Sequence, residues 1–205
     1  YGELKARQGF MAANIVYAWQ GCMYAAALYE EAIVQDPELS VAYFYLANSY
    51  DNLFKPSRKG EPENDAYLTK AIEYYTKASE KEQDPTLRKR SFEFLLAAYG
   101  PDKMNDPSHQ EPIVNRMIQL DPQDATNYFA LAKIREDAGD YEKAEEVLLQ
   151  AKQARPNDPQ VYLQLAGFYN RQEEFEKTID ALNQRAAIEP NNPEAFYTIS
   201  TYYWD

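Results

Sequence analysis

Residues 124–156 read DATNYFALAKIREDAGDYEKAEEVLLQAKQARP, and residues 158–190 read DPQVYLQLAGFYNRQEEFEKTIDALNQRAAIEP. Laid over one another, the two stretches match at an offset of 34 residues. Pro122, Pro156 and Pro190 keep that spacing, as do Tyr128, Tyr162 and Phe196. So do Leu131, Leu165 and Ile199, then Ala132, Ala166 and Ser200, and finally Tyr141 and Phe175. Self-similarity at a fixed period of this length marks a chain built from one stacked supersecondary unit.

The physics of one unit explains the pattern. Tyr128, Leu131, Ala132 and Ile134 fall near helical spacing and give one inward stripe. Glu136 to Asp140 interrupts it, with Gly139 supplying a turn that other residues resist. Tyr141, Ala144, Val147, Leu148 and Ala151 form a second stripe, which Pro156 stops by pushing its predecessor out of the α region. Ala132 and Ala144 are small where the two helices must approach closely. A single hairpin cannot bury both faces, so neighbours must stack on it.

An aromatic-x-x-Leu-Ala segment, a small residue and a closing proline at this period resemble the tetratricopeptide-repeat (TPR) family. The resemblance covers essentially the whole chain, strongest in 124–205 and weakest in 1–24 and 100–112. It implies an all-α solenoid of helix-turn-helix units, a right-handed superhelix of about five hairpins plus a terminal helix. The expectation is one domain over 1–205. Its repeats fall near 5–39, 40–85 with an insertion at 51–65, a degenerate 86–122, then 124–156, 158–190 and a partial 192–205. The insertion carries Lys55, Arg58 and Lys59 among Pro and Gly, and reads as a surface loop or a lengthened hairpin tip.

The chain has 205 residues, 45% of them hydrophobic, which suffices for a sizeable core. A formal net charge of -12 argues against a nucleic-acid groove and would steer cationic partners. One cysteine rules out an internal disulfide framework, and no apolar run is long enough to insert in a membrane. The numbering opens on Tyr1, so the absence of a signal peptide leaves the compartment open. Cys22 and His109, the available nucleophile and base, lie two repeats apart, roughly 20 Å for helices stacked 8–10 Å apart. One His and one Cys supply no structural zinc set. No enzyme activity, cofactor or metal is expected.

Two surfaces stand out as binding sites. The tip of the first hairpin, Ile15, Val16, Trp19, Cys22, Met23 and Tyr24, is nearly uncharged, whereas later tips are charged. An exposed apolar patch of this composition marks a protein interface, natural or engineered; the alternative is coverage by a helix outside the numbering or by local packing. The second surface follows from the family resemblance, in which first helices line a concave, peptide-binding groove. It implies Phe10, Asn14 and Tyr17, then Phe44, Asn48 and Asn52, then Glu93 and Ala97. Further along come Phe129, Lys133 and Glu136, then Leu163, Gly167 and Asn170, and finally Tyr197 and Thr201. Asn14 and Asn48 resemble asparagines that hold peptide termini in chaperone-binding members, but Phe10 replaces the lysine such a clamp needs. The aromatics are either apolar anchors or packing between first helices. The expected function is therefore non-catalytic binding of a protein or peptide, first through the hairpin patch. A groove-binding scaffold or assembly factor is the alternative, as is a regulatory fragment of a larger enzyme. A homodimer through the first hairpin or the uncapped last helix is a further expectation.

Overall fold

Short acidic and proline signals set where the helices begin. The computed structural model describes residues 5–11 and 21–201, and among these it is helical, with no strand. A helical stretch over 5–11 (α1) precedes α2 Cys22–Gln35, α3 Ser40–Leu53, α4 Pro62–Lys81, α5 Pro85–Ala98 and α6 Gln110–Leu120. Then come α7 Ala125–Asp137, α8 Tyr141–Ala154, α9 Pro159–Arg171, α10 Phe175–Ile188 and α11 Pro193–Thr201. Two compact units divide the chain, Tyr1–Ile113 and Val114–Asp205.

Proline stands in the first turn of α4, α5 and α9, where its missing N–H costs nothing. Asp84, Asp124, Asp140 and Asp158 cap α5, α7, α8 and α9 by accepting backbone N–H groups that have no partner within the helix. At the tips of the last two hairpins, Gly139 (φ 79°) and Glu173 (φ 59°) both adopt the left-handed region. They are 34 residues apart, so the same turn is made once by glycine and once by a strained non-glycine residue.

Packing repeats with the sequence. Within the first unit α3 packs on α4, and α2 and α5 flank that pair; within the second, α7 packs on α8 and α9 on α10. The close-approach positions Ala25, Ala71, Ala144 and Thr178 are all buried. The Thr178 hydroxyl is satisfied by donating to the Glu174 carbonyl at 3.1 Å. The aromatic that opens each period has a second task. The phenols of Tyr43, Tyr128 and Tyr162 donate to the carbonyls of Pro37, Pro122 and Pro156, at 3.0, 3.1 and 2.7 Å. Each thereby fastens a first helix to the proline that ended the preceding repeat. Phe196 has no hydroxyl and is 50% exposed.

A second recurring contact joins neighbouring repeats. Tyr50 of α3 donates to Glu30 of α2 at 2.6 Å, and Lys70 of α4 donates to the Tyr50 phenol at 3.0 Å. In the second unit Tyr169 of α9 donates to Glu145 of α8 at 2.8 Å, and Lys177 of α10 reaches the same carboxylate at 3.1 Å. Both phenols are held well above the usual tyrosine range, by burial first and then by their carboxylate partners.

Over the expected insertion at 51–65 the structure holds both a loop and added helix. α3 continues to Leu53 and α4 starts at Pro62, so residues 54–61 form the loop and the rest lengthens the hairpin. Buried Asn64 closes it, accepting from Lys55 N at 2.8 Å and donating to Lys55 O at 3.1 Å. Phe54 is buried beside Leu68 and Ala98. In the degenerate third repeat, residues 99–109 link α5 to α6. His109 stacks on Tyr99 with ring centroids 4.7 Å apart and places Nδ1 2.8 Å from Asp106.

Candidate functional site

The period that builds the fold also aligns side chains along the first helices. In the second unit Phe129, Leu163 and Tyr197 follow one another at 34-residue intervals on α7, α9 and α11. Phe129 and Leu163 are half-buried, and Tyr197 is 73% exposed. The next row is Lys133 and Gly167, and the third is Glu136 and Asn170. A fork of two hydrogen bonds crosses this face: Arg171 Nε to Glu136 Oε1 at 2.7 Å and Nη2 to Oε2 at 2.9 Å. Gly167 leaves room for it, because a Cβ there would lie 3.3 Å from Arg171 Nη1. Lys133 pairs with Asp137 at 2.5 Å on its own helix. Two cations of this face are therefore already matched by carboxylates, while Asn170 is exposed.

A cleft of about 530 Å³ opens beside the Phe129 ring, near the N-terminal ends of α7 and α9. Asp121, Asp124, Arg155, Asp158, Gln160 and Gln164 contribute to its walls. The carboxylates are placed by the helix starts themselves: Asp124 Oδ1 holds Thr126 N at 3.1 Å, and Asp158 Oδ1 holds Gln160 N at 3.0 Å. Sequence reading named Phe129 but missed the cleft. Two of its wall residues, Asp124 and Asp158, are capping residues, which carry a local signal for helix starts and none for a shared cavity.

The first unit uses its aromatics differently. Phe44 is only 3% exposed, because its ring is enclosed by Tyr45, Tyr75 and Phe94 at centroid distances of 5.3, 6.0 and 6.2 Å. Half-buried Phe10 lies 5.7 Å from both Tyr29 and Tyr45. Phe44 thus packs between helices, one of the two roles left open for these aromatics. Asn52 Nδ2 donates to Asn48 Oδ1 at 2.6 Å and to the Asn48 carbonyl at 2.8 Å, so this amide pair is partly engaged with itself. Glu93 and Ala97 are exposed on α5. Asn14 and Tyr17 lie outside the described residues, as do Ile15, Val16 and Trp19 of the first hairpin. From that hairpin, Met23 is 58% and Tyr24 65% exposed at the start of α2, and Cys22 is half-buried.

Among the described residues no group of three or more His, Cys, Asp or Glu is arranged to hold a metal ion. No helix among them is long and apolar enough to cross a membrane.

Residues 111–165 match the family model described as tetratricopeptide repeat, spanning α6 through the middle of α9. That match and the shared fold support a tetratricopeptide-repeat assignment. Solved structures of TPR proteins share its fold over most of its length. YrrB, described as a TPR protein with an unusual peptide-binding site, is 17% identical, with a TM-score of 0.56 over 93% of this chain and 89% of that one. MamA is 14% identical, with a TM-score of 0.62 over 93% of this chain and 94% of that one. The C-terminal part of a TPR repeat-containing protein from Cytophaga hutchinsonii is 17% identical, with a TM-score of 0.64 over 94% and 72%. No curated protein matches the sequence. A TPR fold is that of a protein- or peptide-binding module, whose repeated helices present a side-chain surface rather than an enclosed site.

Proposed function

We propose that this TPR chain is a non-catalytic binding module that holds an extended peptide segment of a partner on the α7–α9–α11 face. The observation that carries the reading is the row Phe129, Leu163 and Tyr197, one side chain per repeat, beside a cleft large enough for a side chain. A peptide crossing successive first helices would meet one apolar contact per repeat and polar groups such as Asn170 between them. YrrB, whose description names a peptide-binding site, has the same fold and supports this use of it. The test is binding of short peptides from an array to the chain and to Phe129→Ala and Tyr197→Ala. Each substitution is expected to weaken bound peptides by at least about 1 kcal/mol, as for an interface anchor. Peptides that bind all three proteins equally would refute the site.

A second reading places a protein partner on the first hairpin, through Ile15, Val16, Trp19, Cys22, Met23 and Tyr24. The exposure of adjacent Met23 and Tyr24 at the head of α2 favours it, since Met and Tyr are enriched at interfaces. That partner can be a second copy of the chain. Molar mass by light scattering, for the parent and Tyr24→Glu, tests this: a dimer lost on substitution supports the surface, and a monomer at all concentrations removes the self-association form.

A further inference from the structure

We propose that the cleft beside Phe129 receives a cationic side chain, arginine above all, of the bound peptide. The inference rests on the α7–α9–α11 face being the peptide site, and adds the chemistry of its occupant.

Three carboxylates line the cleft, Asp121, Asp124 and Asp158, against one guanidinium, Arg155. That guanidinium is already committed: Nη1 donates to the Gln123 carbonyl at 3.4 Å and Nη2 lies 3.6 Å from Asp158 Oδ2. Helix N-termini ordinarily favour an anion. Here those of α7 and α9 already have their anions, because Asp124 and Asp158 are the capping residues. A peptide carboxylate or phosphate entering the cleft would meet negative charge where a bare helix start would have welcomed it.

The remaining wall suits a planar cation. Half-buried Phe129 lines the cleft, and an aromatic ring there is a group on which a guanidinium can stack. Gln160 and Gln164 bring side-chain carbonyls that accept from its N–H groups. Asp158 uses Oδ1 on Gln160 N and faces Arg155 with Oδ2, and Asp124 accepts from Thr126. Asp121 is engaged locally through Oδ1, with Gln123 N at 3.2 Å, and is the carboxylate of the three with no cation against it in the cleft wall. Arginine fits better than lysine because its fork uses several acceptors at once and stacks on a ring. Neighbouring charge does not reverse the field, since Lys133 is paired with Asp137 and Arg171 with Glu136.

The experiment is a positional-scanning library of short acetylated, amidated peptides, read against the full chain by fluorescence anisotropy. Variants Asp121→Asn and Phe129→Leu remove, respectively, a charge and a ring while keeping polar and apolar character. One library position is expected to favour Arg, then Lys, over Gln and Glu. For Arg peptides, Phe129→Leu is expected to weaken binding about 5-fold and Asp121→Asn about 3-fold. The Gln version of the same peptide should be nearly unaffected by Asp121→Asn. Raising ionic strength to about 1 M, where the Debye length is about 3 Å, should erase most of the Arg preference. Peptides lost on Phe129→Ala but showing no cation preference would overturn this inference and leave the peptide-binding face standing. Binding indifferent to Phe129, Leu163 and Tyr197, or no peptide binding at all, would overturn both.

Discussion

Replacing Tyr169 with phenylalanine removes a single oxygen from the contact that fastens the last two hairpins. Tyr169 is 7% exposed. Its phenol donates to Glu145 at 2.8 Å, so the acceptor is a charged carboxylate. Hydrogen bonds of that kind contribute about 1.5–3 kcal/mol. Glu145 would not be stranded, because its side chain is 29% exposed and keeps Lys177 at 3.1 Å. Water and the ammonium group then recover part of the loss, and the expected destabilisation is about 1 kcal/mol at neutral pH. The ring itself stays, with Lys177 4.9 Å from its centroid, so packing is conserved.

The assay is urea unfolding followed by circular dichroism, with a double-mutant cycle through Glu145→Gln. The pH dependence has a defined sign. Tyr169 is held above its ordinary value in the folded chain, by burial and then by its bond to Glu145. Its contribution is therefore complete below the unfolded tyrosine value of about 10 and drains as pH rises above it. The stability gap between parent and Tyr169→Phe should hold from pH 7 to 9 and close above about pH 10. A variant as stable as the parent at neutral pH, or a cycle showing no coupling to Glu145, would refute the fastening role.

Two further perturbations probe local features. Asn64→Ala deletes both side-chain bonds to the Lys55 backbone; it should cost about 2 kcal/mol in thermal melting and speed tryptic cleavage at Lys55, Arg58 or Lys59. Gly139→Ala places a Cβ on a residue at φ 79°, which should cost about 1 kcal/mol, whereas Glu173→Gly at the equivalent turn should cost nothing or stabilise, both read by urea midpoints.

The architecture was legible because packing and sequence share one period. Tyr128, Leu131, Ala132 and Ala144 name the inward stripes, and Gly139 and Pro156 name the breaks, from local rules alone. The 51–65 insertion read as a surface loop or a lengthened hairpin tip, and local composition alone could not divide the two. In the fold Asn52 bonds back to Asn48 within α3, and Asn64 satisfies a loop from inside α4. The site was only half legible. A helical stripe says that Phe44 and Phe129 occupy the same register, but not that Tyr45, Tyr75 and Phe94 enclose the first. The Glu145–Tyr169–Lys177 contact unites three helices through residues that carry no motif, so only the fold brings them together. The same holds for Arg171 and Glu136, and for the capping aspartates that wall the cleft.

The most direct test of peptide binding on the α7–α9–α11 face is amide chemical-shift mapping of the chain with an arginine-containing peptide selected from the array. The account predicts shifts concentrated at Phe129, Leu163, Gly167 and Tyr197, with Met23 and Tyr24 unmoved. Shifts concentrated at Met23, Tyr24 and the rest of α2, with α7 and α9 silent, would contradict it.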